Sequence, residues 1–346
     1  MSRRKKKSEN LFYILDKFEF SDLQKWNRTA KNVQDYHVLF YSSLADQRSS
    51  VYGELKACLE RIAKPFQKIA WQRLVTAKYM LDPLSISGSI NHAVGGRFNI
   101  GNLDESRFER FPALYLAVDK HTAFAEKFGI EDNEKNRGLK ASDIIFNKDD
   151  SIAYFSVNFS LDTVLDLTQP DDLRGFVDLI KGFSIPKEIK SLAKSIKIPE
   201  PGIVKSVDRL LDGLLEKNWR SMPTQFDIPS NSQIFGKIAR DAGIQGILYP
   251  SQKTKKSNMA IFVENIGDES YVELDPRFEL PKEVKNRKIQ QLANPIEDSL
   301  EMSTPNAETR KAIKDGRKRK NLTSFDTADD LMNDLKSQTN SNKECE

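Results

Sequence analysis

The stretch HAVGGRFNIGN, His92 to Asn102, sets two adjacent glycines directly before an arginine and an aromatic residue. Glycine gives up the most conformational freedom on folding, so the pair Gly95-Gly96 implies a sharp turn or a close approach of the backbone to something else. With Arg97 beside it, that something is read as an anion, a phosphate first of all. A guanidinium donates two parallel charge-assisted hydrogen bonds, and backbone N–H groups freed of side chains can reach the same oxygens. Four other residues carry chemistry in well-marked settings: Arg73 in AWQRLV, Tyr115 in ALYLAV, Glu126 in TAFAEKF and Ser251 in ILYPSQ. Taken singly, each also has an ordinary reading: a surface ion pair for Arg97, a core side chain for Tyr115, a solvated helix residue for Glu126 and a turn residue for Ser251. His92 and His121 lie close by in sequence but lack companions at metal-binding spacing, so no metal is expected.

The elements that would position these residues follow from hydrophobic period and turn chemistry. From Ser21 to about Pro65 the pattern is helical, most clearly where Val51, Leu55, Cys58, Leu59 and Ile62 share one face. Phe66 to Ile100 reads as short strands and loops. The run Ala113 to Val118, bounded by Pro112 and Asp119, reads as a strand leading into a helix that Thr122 could cap, with Glu126 near its middle. SIAYFSVNFSLDTVLDLT reads as two strands. From about 170 to 228 the spacing is helical, punctuated by prolines, and reads as an insertion. A helix over SQIFGKIARDAGI, a turn at Gly246, a strand ILYPS, a polar loop and a strand MAIFVENI close the pattern, giving a compact α+β region.

Composition narrows the class. The 346 residues suffice for one large domain or two ordinary ones. Lys+Arg 54 against Asp+Glu 50 leaves a net charge of +4, too small an excess to imply a nucleic-acid partner, which is not expected. Cys58 and Cys345 show no paired spacing, so neither a disulfide framework nor a zinc motif is available and a cytoplasmic setting fits. No run approaches the roughly 18 to 20 apolar residues of a membrane-spanning helix, and the basic start lacks a cleavage site of the secretory type. Beyond Pro281 the chain turns to Lys, Glu, Asn, Ser and Thr and is expected to be a mostly disordered polar tail over 281–346. It contains a basic cluster, KDGRKRK, and an amphipathic stretch, TADDLMNDLKSQ.

Arg73, the GGRFNIG turn, Tyr115 in its strand, Glu126 in the following helix and the closing GILYPSQKTKKSNMAIFVEN stand in the order seen in the RES domain family, which this chain resembles from about residue 66 to 265. Phe98 takes the place of a tryptophan common there and keeps an aromatic surface. The resemblance implies an ADP-ribosyltransferase-like mixed β-sheet core in a catalytic region (66–280); the hydrophobic pattern adds an N-terminal helical region (1–65) and the insertion at about 170–228. It implies NAD+ as substrate and cleavage of the nicotinamide–ribose bond with phosphate or water as acceptor. Arg97, Gly95 and Gly96 would then hold the pyrophosphate, with Arg73 a further candidate. Glu126 would face the ribose, where positive charge builds as in glycoside hydrolysis. Nicotinamide leaves as a neutral molecule, so no strong general acid is needed. Ser251 is cast as a hydrogen-bonding positioner, since no His and Asp pair accompanies it, and Tyr115 could stack on nicotinamide.

Two other functions use the same residues or different ones. A transferase passing ADP-ribose to a protein or nucleic acid would keep the site. A nucleic-acid-associated protein would rely on RRKKK and KDGRKRK, with binding that weakens steeply in salt. The family's toxins are commonly held by a cognate antitoxin. By analogy the N-terminal helices and the insertion are surfaces for such a partner, for self-association, or for covering the cleft.

Overall fold

The computed structural model describes residues 20–130, 151–198 and 202–290. The chain divides into two units, residues 1–299 and 300–346, and every described residue belongs to the first. Two helices open it, α1 (Phe20–Ser50) and α2 (Tyr52–Ile62), followed by strand β1 (Lys64–Thr76) and a short helix α3 (Ser87–Ile90). A two-stranded turn, β2 (Gly95–Gly96) with β3 (Asn99–Ile100), precedes β4 (Leu114–Ala117), α4 (Lys120–Phe128) and β5 (Ile152–Asp166). Four helices follow: α5 (Arg174–Ile180), α6 (Lys187–Ser195), α7 (Val207–Leu214) and α8 (Ser221–Phe226). The segment ends with α9 (Asn231–Asp241), β6 (Gly246–Pro250), β7 (Ser257–Ile261), β8 (Tyr271–Leu274) and β9 (Lys288–Ile289).

Among the described residues one sheet runs β1-β4-β7-β6-β5-β8-β9, and β1 also pairs with β5. That second pairing closes the first five strands into a ring. Every pairing in the sheet is antiparallel except β5 with β6. The ring depends on two strands longer than the sequence suggests. The expectation of short strands and loops after Phe66, and of two strands within 151–168, is corrected to two single long strands paired from Lys64↔Val164 to Thr76↔Ile152. What sustains them is an irregularity between Lys68 and Trp71, where Ala70 takes φ 60° and its N–H is held by Asn158 Oδ1 at 2.9 Å. A bulge of this kind bends a strand without ending it, which local propensity does not signal.

Strand alternation sorts the side chains onto two faces. Leu114, Leu116, Leu248, Met259 and Ile261 enter one apolar cluster with Trp71 and Phe159. Tyr115, Ile247, Tyr249 and Ala260 turn the other way, toward α2, α7 and α9. α2 closes this second layer with Leu55, Cys58 and Leu59, all buried; a leucine so placed contributes about 1.5–3 kcal/mol. α9 is started by a capping box between Ser230 and Gln233. The turn after α9 falls at Gly243, whose φ is 71°, whereas Gly246, expected at the turn, is already in β6.

The composition shift at Pro281 does not end the sheet, because β9 pairs with β8 through Val272↔Ile289 and Val284 is buried. RRKKK, KDGRKRK and TADDLMNDLKSQ lie outside the described residues. Among the described residues no helix is long and apolar enough to cross a membrane.

Candidate active site

The Gly95-Gly96 turn is built for close packing, and this changes what its glycines are for. Gly95 has φ 76°, and a Cβ there would stand 2.4 Å from the Gly101 nitrogen and 2.5 Å from the Asn99 carbonyl oxygen. At Gly96 a Cβ would meet the Tyr115 hydroxyl at 2.4 Å and Asn99 Oδ1 at 2.6 Å. Both amides are already engaged: Gly95 N–H donates to the His92 carbonyl (3.1 Å) and Gly96 N–H to Asn99 Oδ1 (2.9 Å). The expectation that these two N–H groups reach an anion is therefore corrected. The missing side chains let β2, β3 and Tyr115 approach each other, and that approach fixes where Arg97 begins.

Three buried or half-buried side chains hold the turn. Tyr115 donates from its hydroxyl to Asn99 Oδ1 (2.9 Å) and accepts from Phe98 N–H (3.0 Å). Asn99 donates to the carbonyls of Ser89 and Phe111. Gln233 of α9 donates to the carbonyls of Val94, Gly96 and Asn99. Phe98 is fully buried, with its ring edge-on to Tyr249 at 4.9 Å, so it belongs to the core and presents no surface to a ligand.

Arg73 and Arg97 separate sharply. All three nitrogens of the Arg73 guanidinium donate to backbone carbonyls, those of Pro83 (3.3 Å), Tyr115 (3.0 Å) and Ser85 (3.2 Å). Burial pushes its pKa down to about 10, so it remains a cation near neutrality. It is a brace joining β1, β4 and the 83–85 loop; the expectation that it contacts a cofactor is replaced by that structural task. Arg97 uses only Nη1, which donates to the carbonyls of Leu214 (3.2 Å) and Glu216 (2.9 Å) at the end of α7. Its Nε and Nη2 have no hydrogen-bond partner among the described residues. That edge is the one a phosphate oxygen pair would fit.

Glu126 is held through one oxygen. Oε1 accepts from Ser251 Oγ (2.6 Å) and from Asn258 Nδ2 (2.9 Å), and Oε2 has no partner among the described residues. Ser251, fully buried, in turn accepts from the N–H groups of Lys253 and Thr254. Its one proton goes to Glu126 and its lone pairs to the loop, so it orients the carboxylate. The helix carrying Glu126 is capped by Asp119, which accepts from Thr122 N–H at 2.7 Å. Thr122, expected as the cap, lies buried inside the first turn, with its hydroxyl against that of Thr254 (3.1 Å). Gly129, in the left-handed region, ends the helix.

The acid and the arginine belong to one electrostatic locality. Burial lowers the Arg97 pKa, Tyr249, Glu126 and Tyr115 oppose that, and Arg220 adds to it. The Tyr249 hydroxyl is raised well above its ordinary value by burial, then by Glu126, so it is protonated. It has no hydrogen-bond partner among the described residues and is not among the fully enclosed polar atoms that lack one. Its O–H is thus a donor left without a protein acceptor among the described residues and not fully enclosed. His92 is lowered by burial, then by Arg220 and Lys127, and is neutral at neutral pH. Arg97, Arg220 and Lys127 all act on this locality, and such a concentration of cations suits an anionic ligand. Among the described residues no group of three or more His, Cys, Asp or Glu is placed to hold a metal.

Glu126, Ser251, Arg97 and Tyr115 are brought together from elements up to 154 positions apart in the chain. Sequence reasoning passes over Asn258, Tyr249 and Arg220. Asn258 reads as the end of a polar loop, and only the register Tyr249↔Asn258, with Ala117 on its other side, puts it beside Glu126. Tyr249 sits within the ILYPSQ motif, where period-2 alternation points it to the same face as Tyr115. Arg220 belongs to the helical segment of 170–228, and nothing in its local sequence marks it.

An α+β frame with a closed strand ring, a braced turn carrying one arginine and a helix carrying one oriented carboxylate defines the class. The RES domain family model matches residues 70–282, and the chain belongs to that family. Among solved structures it is similar to the M. tuberculosis MbcT–MbcA toxin–antitoxin complex, at 18% identity over 60% of this chain and 80% of that one, with a TM-score of 0.31. No curated protein matches the chain.

Proposed function

We propose that this chain consumes NAD+, breaking the bond between nicotinamide and ribose and passing ADP-ribose to phosphate or water, in the manner of a RES-type toxin. The observation that carries the reading is the Glu126 carboxylate, fixed through Oε1 by Ser251 and Asn258, with Oε2 open and Arg97 close enough for their charges to interact. As the C1′–N bond breaks, its electron pair goes to the ring nitrogen, which is already cationic, and nicotinamide departs neutral. The positive charge left on the ribose is what Oε2 would face, and a pre-oriented carboxylate needs no reorganisation to meet it. The acceptor oxygen then bonds to C1′ and any proton it carries passes to solvent. Arg97 would take a pyrophosphate oxygen pair on its Nε/Nη2 edge, and Tyr249 would donate to the ligand from within the cleft.

On this reading the ring of strands with its flanking helix is an ADP-ribosyltransferase-like core, residues 66–280 are the catalytic region, and 170–228 is an insertion in it. A cognate antitoxin covering the cleft and a cytoplasmic site of action belong to the same proposal, supported by family membership. The test is nicotinamide release from NAD+ by purified protein, with and without phosphate, repeated with Arg97→Ala. Release that phosphate accelerates, and that Arg97→Ala weakens mainly in KM, is the expected result. Absence of release, or ADP-ribose recovered on a macromolecule with little free product, refutes it.

A further inference from the structure

Arg220 stands out among the cations around Arg97 because it is placed by an aromatic ring and, among the described residues, answered by no acid. Its guanidinium lies over the Trp219 ring at 4.4 Å, and the same ring lies under the Arg97 guanidinium at 5.8 Å. Trp219 is itself buried, so the platform is rigid. A stacked guanidinium keeps its in-plane N–H groups free for an anion. Among the described residues no carboxylate pairs with Arg220, whereas Arg209 of the same helical segment pairs with Asp212 at 3.4 Å. Arg220 is exposed, yet its charge reaches Tyr115, Tyr249, His92 and Arg97, the surroundings of the Arg97 guanidinium.

We propose that Arg220 is the second guanidinium of a two-arginine site for a diphosphate group. Arg97 supplies its Nε/Nη2 edge from the braced turn, and Arg220 approaches from the helical segment. The segment 170–228 is then part of the binding site. Trp219 links the two arginines, since both lie over its ring, and Arg97 is tied to the same segment by two hydrogen bonds, to Leu214 at the end of α7 and to Glu216 just beyond it. Two separate guanidiniums match a ligand with two adjacent anionic phosphates better than one with a single phosphate. The inference deepens the proposed function and rests on it for the identity of the substrate, while the diphosphate site itself is tested independently of turnover.

The experiment is calorimetric titration of the full-length chain with inorganic pyrophosphate and with orthophosphate, for wild type, Arg220→Ala, Arg220→Lys and Arg209→Ala. Wild type is expected to bind pyrophosphate at least tenfold more tightly than orthophosphate. Arg220→Ala should lose tenfold or more of the pyrophosphate affinity, Arg220→Lys should recover part of it, and Arg209→Ala should behave as wild type. In NAD+ turnover, Arg220→Ala should raise KM about tenfold with kcat within threefold. Equal pyrophosphate affinity in wild type and Arg220→Ala, or an equal loss in Arg209→Ala, overturns the inference even where NAD+ is turned over. Arg220-dependent pyrophosphate binding by a chain that leaves NAD+ intact would uphold the site and remove the proposed reaction.

Discussion

The replacement Glu126→Gln isolates the charge of the carboxylate from its position. The amide oxygen of glutamine can accept from Ser251 Oγ and Asn258 Nδ2 just as Oε1 does, so both hydrogen bonds and the volume of the side chain are kept. What disappears is one negative charge facing the ribose. Two unit charges about 4 Å apart at an effective dielectric near 20 interact by about 4 kcal/mol. If the sugar carries most of a positive charge in the transition state, that energy corresponds to a loss of roughly a thousandfold in rate. Nicotinamide release under saturating NAD+ is the assay, with thermal unfolding as the control for folding; the midpoint should move by no more than a few degrees. Glu126→Ala should differ, because it leaves a buried hydroxyl and a buried amide without their acceptor, costing about 1–3 kcal/mol each in stability. A Glu126→Gln protein that folds normally and turns over within tenfold of wild type would refute the role given to the charge.

Ser251→Ala removes a charge-assisted bond of the kind that contributes about 1.5–3 kcal/mol, so kcat should fall roughly ten- to a hundredfold with KM little changed, read in the same assay. Gly96→Ala forces a Cβ against Tyr115 and Asn99 and should cost about 1–3 kcal/mol by denaturant titration, with weakened anion binding as Arg97 shifts. Tyr249→Phe removes a hydroxyl that has no partner among the described residues, so stability should hold while NAD+ affinity drops. Away from the site, Asp275 is buried and is held well below the usual carboxylate range, chiefly by its hydrogen bonds from Arg277, then also from Ser156. A depressed carboxylate stabilises the fold above its unfolded value, near 4, and loses that contribution as pH falls toward its folded value. The stability gap between wild type and Asp275→Asn should therefore be full at pH 6 and narrow progressively below pH 4, measured by denaturant titration across pH.

Much of the site was legible in the chain because chemistry and local period coincide there. Glu126 in a helix following a strand, Ser251 just after another strand, and Arg97 after a glycine pair are short-range patterns, and the order of those motifs carries the family. The reason for the glycines was not legible. Sequence can show that a position tolerates no Cβ, but whether the space goes to a ligand or to Tyr115 and Asn99 depends on packing from residues 3 to 19 positions away. Arg73 failed in the same way: an arginine within an apolar strand reads equally as a ligand and as a brace, and only three carbonyls arriving from two other segments decide it. The long β1 and β5 were missed because the bulge at Ala70 is stabilised by Asn158, 88 positions on.

By itself, then, the amino-acid sequence determined the α+β class, which follows from residue type and spacings shorter than one element, and the family, which follows from the order of its motifs. The tertiary structure decided which arginine keeps a free edge, which oxygen of Glu126 is tied down, and that Arg220 shares the Trp219 ring with Arg97 from a segment with no local mark of function. Those outcomes are settled by hydrogen bonds and charges acting between strands and helices distant in the chain, and such pairings exist only once the ring has closed.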